Sequence, residues 1–208
     1  SGPMSGSTDV LFAAFTAPES PYQVEEIVGT GKSSWVLRAH ETASGTPVAL
    51  KVLRPSMAAQ AETLKRFFRE AEVLGRIDHP AVVRVLGHGT HEGFPFTALE
   101  LIDGPSLEAR LLKHGPVPWG EAVVCLTDLA EGLAAAHAQG VVHRDLKPSN
   151  AMITRAGRGK LADFGVVSVE GASRITQRAR AIGTPIYTAP EVLFGGTAGV
   201  RSDLYALG

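Results

Sequence analysis

The chain changes character once, near residue 102, and that change constrains its fold more than any other feature. From Tyr22 to Leu101 short strand-like runs dominate, with one helical stretch among them, and beyond Leu101 the pattern is mainly helical. That order points to an α+β architecture in two parts. Tyr22–Val28, Trp35–His40 and Thr46–Leu53 have strand character and are separated by glycine-containing turns. Val82–Leu86 and Phe94–Ile102, joined through Glu92-Gly93, complete a predicted five-stranded antiparallel sheet. Glu62–Ile77 carries Leu64, Phe67, Phe68, Ala71 and Leu74 at three- and four-residue spacing, which predicts an amphipathic helix. Asp78-His79-Pro80 ends it, because a proline disfavours helical geometry in the residue before it. In the second part a short helix over Leu107–Lys113 is broken by Gly115-Pro116-Val117-Pro118. A long helix then spans Trp119–Ala138, with Ala122, Leu126, Leu129, Leu133 and His137 predicted along one face and Gly140 as its stop.

Composition excludes several classes. The 208 residues are 44% apolar and 20% charged, as in an ordinary soluble globular protein large enough to bury a core. A formal net charge of −1 argues against a broad nucleic-acid surface, so no nucleic-acid partner is expected. The lone Cys125 rules out an internal disulfide, fits a reducing cytoplasm, and lies in an apolar helical pattern that favours packing over nucleophilic work. No run approaches the roughly 18 apolar residues of a membrane span. Ser1-Gly2-Pro3-Met4 reads as an expression scar, and residues 1–20 as a whole as a flexible lead-in.

The chemistry concentrates in His143-Arg144-Asp145-Leu146-Lys147-Pro148-Ser149-Asn150. Asp145 can accept a proton from a hydroxyl, Lys147 can neutralise phosphate, and Asn150 offers an uncharged oxygen to a hard cation such as magnesium. Those are the parts a phosphoryl transfer needs, since its catalysis is mostly positioning and charge stabilisation. A solvated, accidentally charged turn is a poor alternative: the five chemically telling positions match by chance about once in a few million sites at average usage.

Gly29-Thr30-Gly31-Lys32-Ser33-Ser34-Trp35-Val36 lies between two predicted strands, where glycines let backbone N–H groups approach phosphate oxygens. Alone it is a common hairpin turn. A P-loop is excluded, because its first glycine would fall on Glu26 and the segment leads into a strand. In Val48-Ala49-Leu50-Lys51 the alternation of a strand puts Ala49 and Lys51 on one face, a small residue beside a cation. Glu70 sits in the apolar seam of the helix over Glu62–Ile77, where a carboxylate needs a partner, and Lys51 is the natural one.

Lys160-Leu161-Ala162-Asp163-Phe164-Gly165 adds a carboxylate for magnesium thirteen residues after Asn150. With Ala189-Pro190-Glu191 and Ser202–Gly208, the motifs now stand in the order of a family. From Tyr22 onward the chain resembles a protein kinase of the Ser/Thr class, of the bacterial eukaryotic-like branch. The resemblance implies a bilobal fold, with residues 21–103 as N-lobe and hinge and 104–208 as a partial, mainly helical C-lobe.

It also implies roles. Lys51 would bind the α- and β-phosphates of ATP and pair with Glu70, Gly29 and Gly31 would cover the phosphates, and Asn150 and Asp163 would hold Mg2+, with Mn2+ as an alternative. Val36, Ala49 and Met152 would sandwich the adenine, the backbones of Glu100 and Ile102 would bond its edge, and Leu99 would be the gatekeeper. Asp145 would orient and deprotonate the acceptor hydroxyl, and Lys147 would stabilise the transferring group. Lys147 and Thr184 are similar to the Ser/Thr class, which implies a protein substrate with a Ser/Thr acceptor. Arg144 before Asp145 implies control by activation-loop phosphorylation, at Thr176 or, as runner-up, Ser173. Ser34 departs from the third glycine of the loop. The chain stops about two turns into the family's central C-lobe helix, which implies a piece of a longer kinase, or a variant whose exposed surface a homodimer or partner covers. A nucleotide-binding pseudokinase or non-catalytic interaction module is the alternative function, against which the intact Lys51, Asp145 and Asp163 argue.

Overall fold

The computed structural model describes residues 5–164 and 186–208, and these fall into two compact units. The first unit takes Ser1–Gly75 and Arg84–Leu101, the second Arg76–Val83 and Ile102–Gly208.

The first unit is built on the expected five-stranded antiparallel sheet: β1 Tyr22–Thr30, β2 Ser34–Glu41, β3 Pro47–Leu53, β4 Val85–His91 and β5 Phe94–Glu100, in the order β1-β2-β3-β5-β4. On β3, Val48, Leu50 and Val52 are buried while Ala49 and Lys51 alternate onto the other face. The buried face carries the core, with Leu37, Ala39, Phe94, Phe96 and Ala98 from neighbouring strands.

That core is closed by an element the composition of residues 1–20 did not announce. Helix α1, Ser5–Thr16, replaces most of the expected flexible lead-in. Leu11 and Phe15 are fully buried in the sheet core, and the Phe15 ring meets Phe96 edge-on at 6.0 Å. His91 Nε2 lies 3.0 Å from the Ala14 carbonyl, and Gln23 Nε2 donates to the Ala17 carbonyl at 2.8 Å. Scattered apolar residues suffice here because only one face of a short helix must be buried. After β3 come the single turn α2, Pro55–Ala58, and α3, Ala61–Leu74, which buries Phe67, Glu70, Ala71 and Leu74.

The segment after α3 corrects the expected boundary. Residues 76–83 belong to the second unit, because Ala81 and Val83 exchange backbone bonds with Leu161: Leu161 N–H to Ala81 at 2.8 Å, and Val83 N–H to Leu161 at 2.9 Å. The strand expected from Val82 therefore starts only at Val85. The second unit otherwise contains α4 Leu107–His114, α5 Trp119–Ala138, a 3₁₀ turn over Pro148–Asn150, the hairpin β6 Ala151–Ile153 and β7 Gly159–Leu161, and helices α6 Pro190–Leu193 and α7 Val200–Leu207. Along α5 the buried face is Cys125, Asp128, Leu129, Gly132, Leu133 and Ala136, so Leu126, 42% exposed, lies outside the expected seam. Gly132 faces the Ala81 carbonyl so closely that a Cβ there would stand 2.8 Å from it. Gly140 ends the helix at φ 72°.

Candidate active site

In the first unit the glycine-rich turn links β1 to β2, with Gly29 opposite Val36 and Thr30 opposite Trp35. The Gly31 N–H donates to the Ser34 carbonyl at 2.9 Å, and a Cβ on Gly31 would stand 3.2 Å from that oxygen, a tight fit that suits glycine. Ser34, in the third glycine's place, is buried. The turn runs into β2 and not into a helix, which fits the exclusion of a P-loop.

Register partners share a face of the sheet, and here Val36 stands opposite Lys51 and Ala49 opposite Leu99. The four form one half-buried patch around a cation. Lys51 Nζ lies 3.4 Å from Glu70 Oε1, and with their side chains only 15% and 8% exposed the pair has little water to screen it. Glu100, at the end of β5, is tied twice to Arg84: its N–H donates to the Arg84 carbonyl at 2.9 Å, and its Oε1 accepts the Arg84 N–H at 2.7 Å.

In the second unit the segment from His143 to Asn150 is held from behind. His143 is fully buried, with Nε2 3.1 Å from the Ala162 carbonyl and Nδ1 3.4 Å from the Asp145 N–H. A neutral ring protonated on Nε2 satisfies both, and burial pushes its pKa below the ordinary value despite nearby Asp203, Asp145 and Asp163. The ring packs against Phe164 at 4.5 Å. Asp203 of α7 fixes the same stretch by accepting the N–H of His143 at 2.8 Å and of Arg144 at 2.9 Å, and it also meets His137 Nε2 at 2.8 Å. Arg144 is thereby kept at φ 66°, a strained conformation for a non-glycine residue.

Asp145 is exposed and flanked by two side chains. Lys147 Nζ lies 2.9 Å from its Oδ2, and Asn150 Nδ2 donates to its carbonyl at 2.7 Å and to Oδ2 at 3.1 Å. With Nδ2 so engaged, Oδ1 is the end of Asn150 that can meet a cation. The Asn150 carbonyl accepts the Ala162 N–H at 2.9 Å, so the residue preceding Asp163 is bonded directly to Asn150. Asp163 itself is exposed at φ 51°. Amide and carboxylate oxygens are hard donors of the kind magnesium takes, with few protein ligands and a shell completed by water and phosphate. Met152 lies half-buried on β6, and the Ile102 carbonyl accepts the Gly104 N–H at 3.0 Å.

Two carboxylates that hold the site's backbone, Asp203 and Asp128, have no role in the sequence expectations. Asp203 lies inside the Ser202–Gly208 motif, which marked a helix start and assigned the carboxylate no role. Asp128, in the apolar seam of α5, carries the same signal that singled out Glu70. It accepts from Arg158 Nε at 2.8 Å and from the Gly159 N–H at 2.9 Å, joining the β6–β7 hairpin to α5. The bond from Arg158 holds its carboxyl below the usual range, against burial. Gly165, Ser173, Thr176 and Thr184 lie outside the described residues.

Residues 22–208 match the family model described as the protein kinase domain. The chain is 39% identical over 204 residues to the serine/threonine-protein kinase PknL of Mycobacterium tuberculosis (strain ATCC 25618 / H37Rv), covering 98% of this chain and 51% of PknL. It is 40% identical over 193 residues to the serine/threonine-protein kinase pkn2 of Myxococcus xanthus, covering 90% of this chain and 23% of pkn2. The crystal structure of the Mycobacterium tuberculosis PknI kinase domain is similar at a TM-score of 0.69 and 33% identity, covering 90% of this chain and 71% of that one. The chain thus spans about half the length, or less, of these two curated relatives.

Proposed function

The chain belongs to the protein kinase family, and from that premise we propose that it transfers the γ-phosphate of Mg-ATP to Ser or Thr hydroxyls of a protein substrate. The observation that carries this reading is the cluster of Lys147 and Asn150 on the exposed carboxylate of Asp145, braced by buried His143 and Asp203.

Each group has a task its chemistry suits. Asp145 accepts the proton of the acceptor hydroxyl as its oxygen attacks phosphorus. Lys147 sits beside that carboxylate and offers positive charge to the equatorial oxygens of the transferring group. Lys51, held by Glu70, addresses the α- and β-phosphates, and the backbone of the turn around Gly29 and Gly31 donates to phosphate oxygens. Val36, Ala49 and Met152 pack the adenine, with Leu99 as gatekeeper. The backbones of Glu100 and Ile102 would bond the base edge, as the family resemblance implies. Asn150 and Asp163 would hold magnesium, or manganese in its place, which when bound neutralises the charge on the phosphates.

Regulation follows from charge. Trans-autophosphorylation at Thr176 would add about −1.5 to −2 charge, which Arg144 could bind. Thr184 would contact Asp145 and Lys147 and help to seat the acceptor. Transfer of label from γ-labelled Mg-ATP to seryl or threonyl residues tests the reading, with phosphopeptide mapping at Thr176. No transfer to any protein acceptor, or none at Thr176, contradicts the activity or the switch respectively.

A further inference from the structure

Arg54 has no part in the machinery assigned above, yet it grips the glycine-rich turn at three points. Its backbone is fixed on both sides. Its N–H donates to the Ser33 carbonyl at 2.8 Å, and its own carbonyl accepts the N–H groups of Met57 and Ala58 at 2.9 Å as α2 begins. From there the side chain turns back: the guanidinium carbon stands 4.4 Å from the ring centroid of buried Trp35, and Nε donates to the Gly31 carbonyl at 3.0 Å. Stacking on the indole orients the planar guanidinium and aims Nε.

The grip has a consequence for the opposite side of the turn. Every peptide described is trans, and a planar trans peptide points its C=O and N–H in opposite directions. Drawing the Gly31 and Ser33 carbonyls onto Arg54 therefore turns the N–H groups of Lys32 and Ser34 the other way. Lys32 and Ser34 alternate along the turn, so their two N–H groups, turned to one side, can donate together to an anion. Gly31 is further restrained by its own bond to Ser34.

We propose that Arg54 is a positioning residue for the phosphate-binding turn, presenting the Lys32 and Ser34 N–H groups to the phosphates of a bound adenine nucleotide. The inference rests on the nucleotide reading above. It is tested by titrating the wild-type chain and Arg54→Met with metal-free ADP and with adenosine, at low salt and at high salt. Arg54→Met is expected to weaken ADP binding by about three- to tenfold at both salt concentrations and to leave adenosine binding unchanged. Equal ADP affinity in the two proteins, a parallel loss of both ligands, or a difference that vanishes at high salt overturns it. Should the variant not fold, Trp35 emission is read in Trp119→Phe, which leaves Trp35 as the sole indole. ADP but not adenosine is expected to shift that emission, and the absence of a shift with ADP overturns the inference. Failure of the wild type itself to bind ADP would instead sink the nucleotide reading.

Discussion

Asp128 on α5 accepts the Nε of Arg158 at 2.8 Å and, through the same Oδ2, the N–H of Gly159, so one buried carboxylate anchors the hairpin joining Asn150 to Asp163. Gly159 is pressed against α5 so closely that a Cβ would stand 2.4 Å from the Cys125 carbonyl. Asp128→Ala should leave the Gly159 N–H without an acceptor and cost about 1–3 kcal/mol in a urea melt. The carboxyl is held below its ordinary value, so its contribution is fully present above about pH 4, the unfolded carboxyl range, and is lost as pH falls through the lower folded value. Asp128→Asn should flatten the stability curve below pH 4. An unchanged acid limb would remove Asp128 from that role.

The burial of Phe15 makes a separate prediction about residues 1–20. Phe15→Ala should cost about 3–5 kcal/mol, because a fully buried ring leaves a cavity in the sheet core. Val10→Ala, on the 59% exposed side of the same helix, should change stability by no more than about 0.5 kcal/mol. Matching melts for the two variants would show that α1 does not dock in solution.

His143 predicts a second pH dependence, of different origin. Burial lowers its folded pKa, so the fold favours the neutral ring while the unfolded chain binds a proton near pH 6.5. Stability is therefore complete above about pH 6.5 and declines as pH drops from there towards the folded value. His143→Asn should be less stable at pH 7.5 and show a shallower decline between pH 6.5 and 5. Parallel slopes for the two proteins would contradict the assignment.

Much of this was legible in the sequence where two periodicities agreed. The five strands, the α3 seam carrying Glu70, and both ends of α5 follow from apolar spacing and from proline and glycine stops. Ala49 and Lys51 share a face because a strand alternates. What stayed hidden depends on long-range partners. Residues 76–83 read as a helix end and the start of a strand, yet their backbone pairs with Leu161. Leu126 and Cys125 are adjacent on α5, and hydropathy alone could not decide which faces inward. Arg144 and Asp203 each lie in a motif, but the bond between them has no local signature, since it spans 59 residues. The lead-in lacked a strong apolar stripe, yet Leu11, Ala14 and Phe15, with Phe12 packed beside them, dock it on the sheet core.

In the proposed reaction Asp145 takes the proton of the acceptor hydroxyl. Phosphotransfer from Mg-ATP should be measured at saturating nucleotide for the wild-type chain and for Asp145→Asn, which preserves shape and removes the base. The variant's rate should fall about 10²- to 10⁴-fold with ADP affinity nearly unchanged if Asp145 is the base. Equal rates in the two proteins would contradict it.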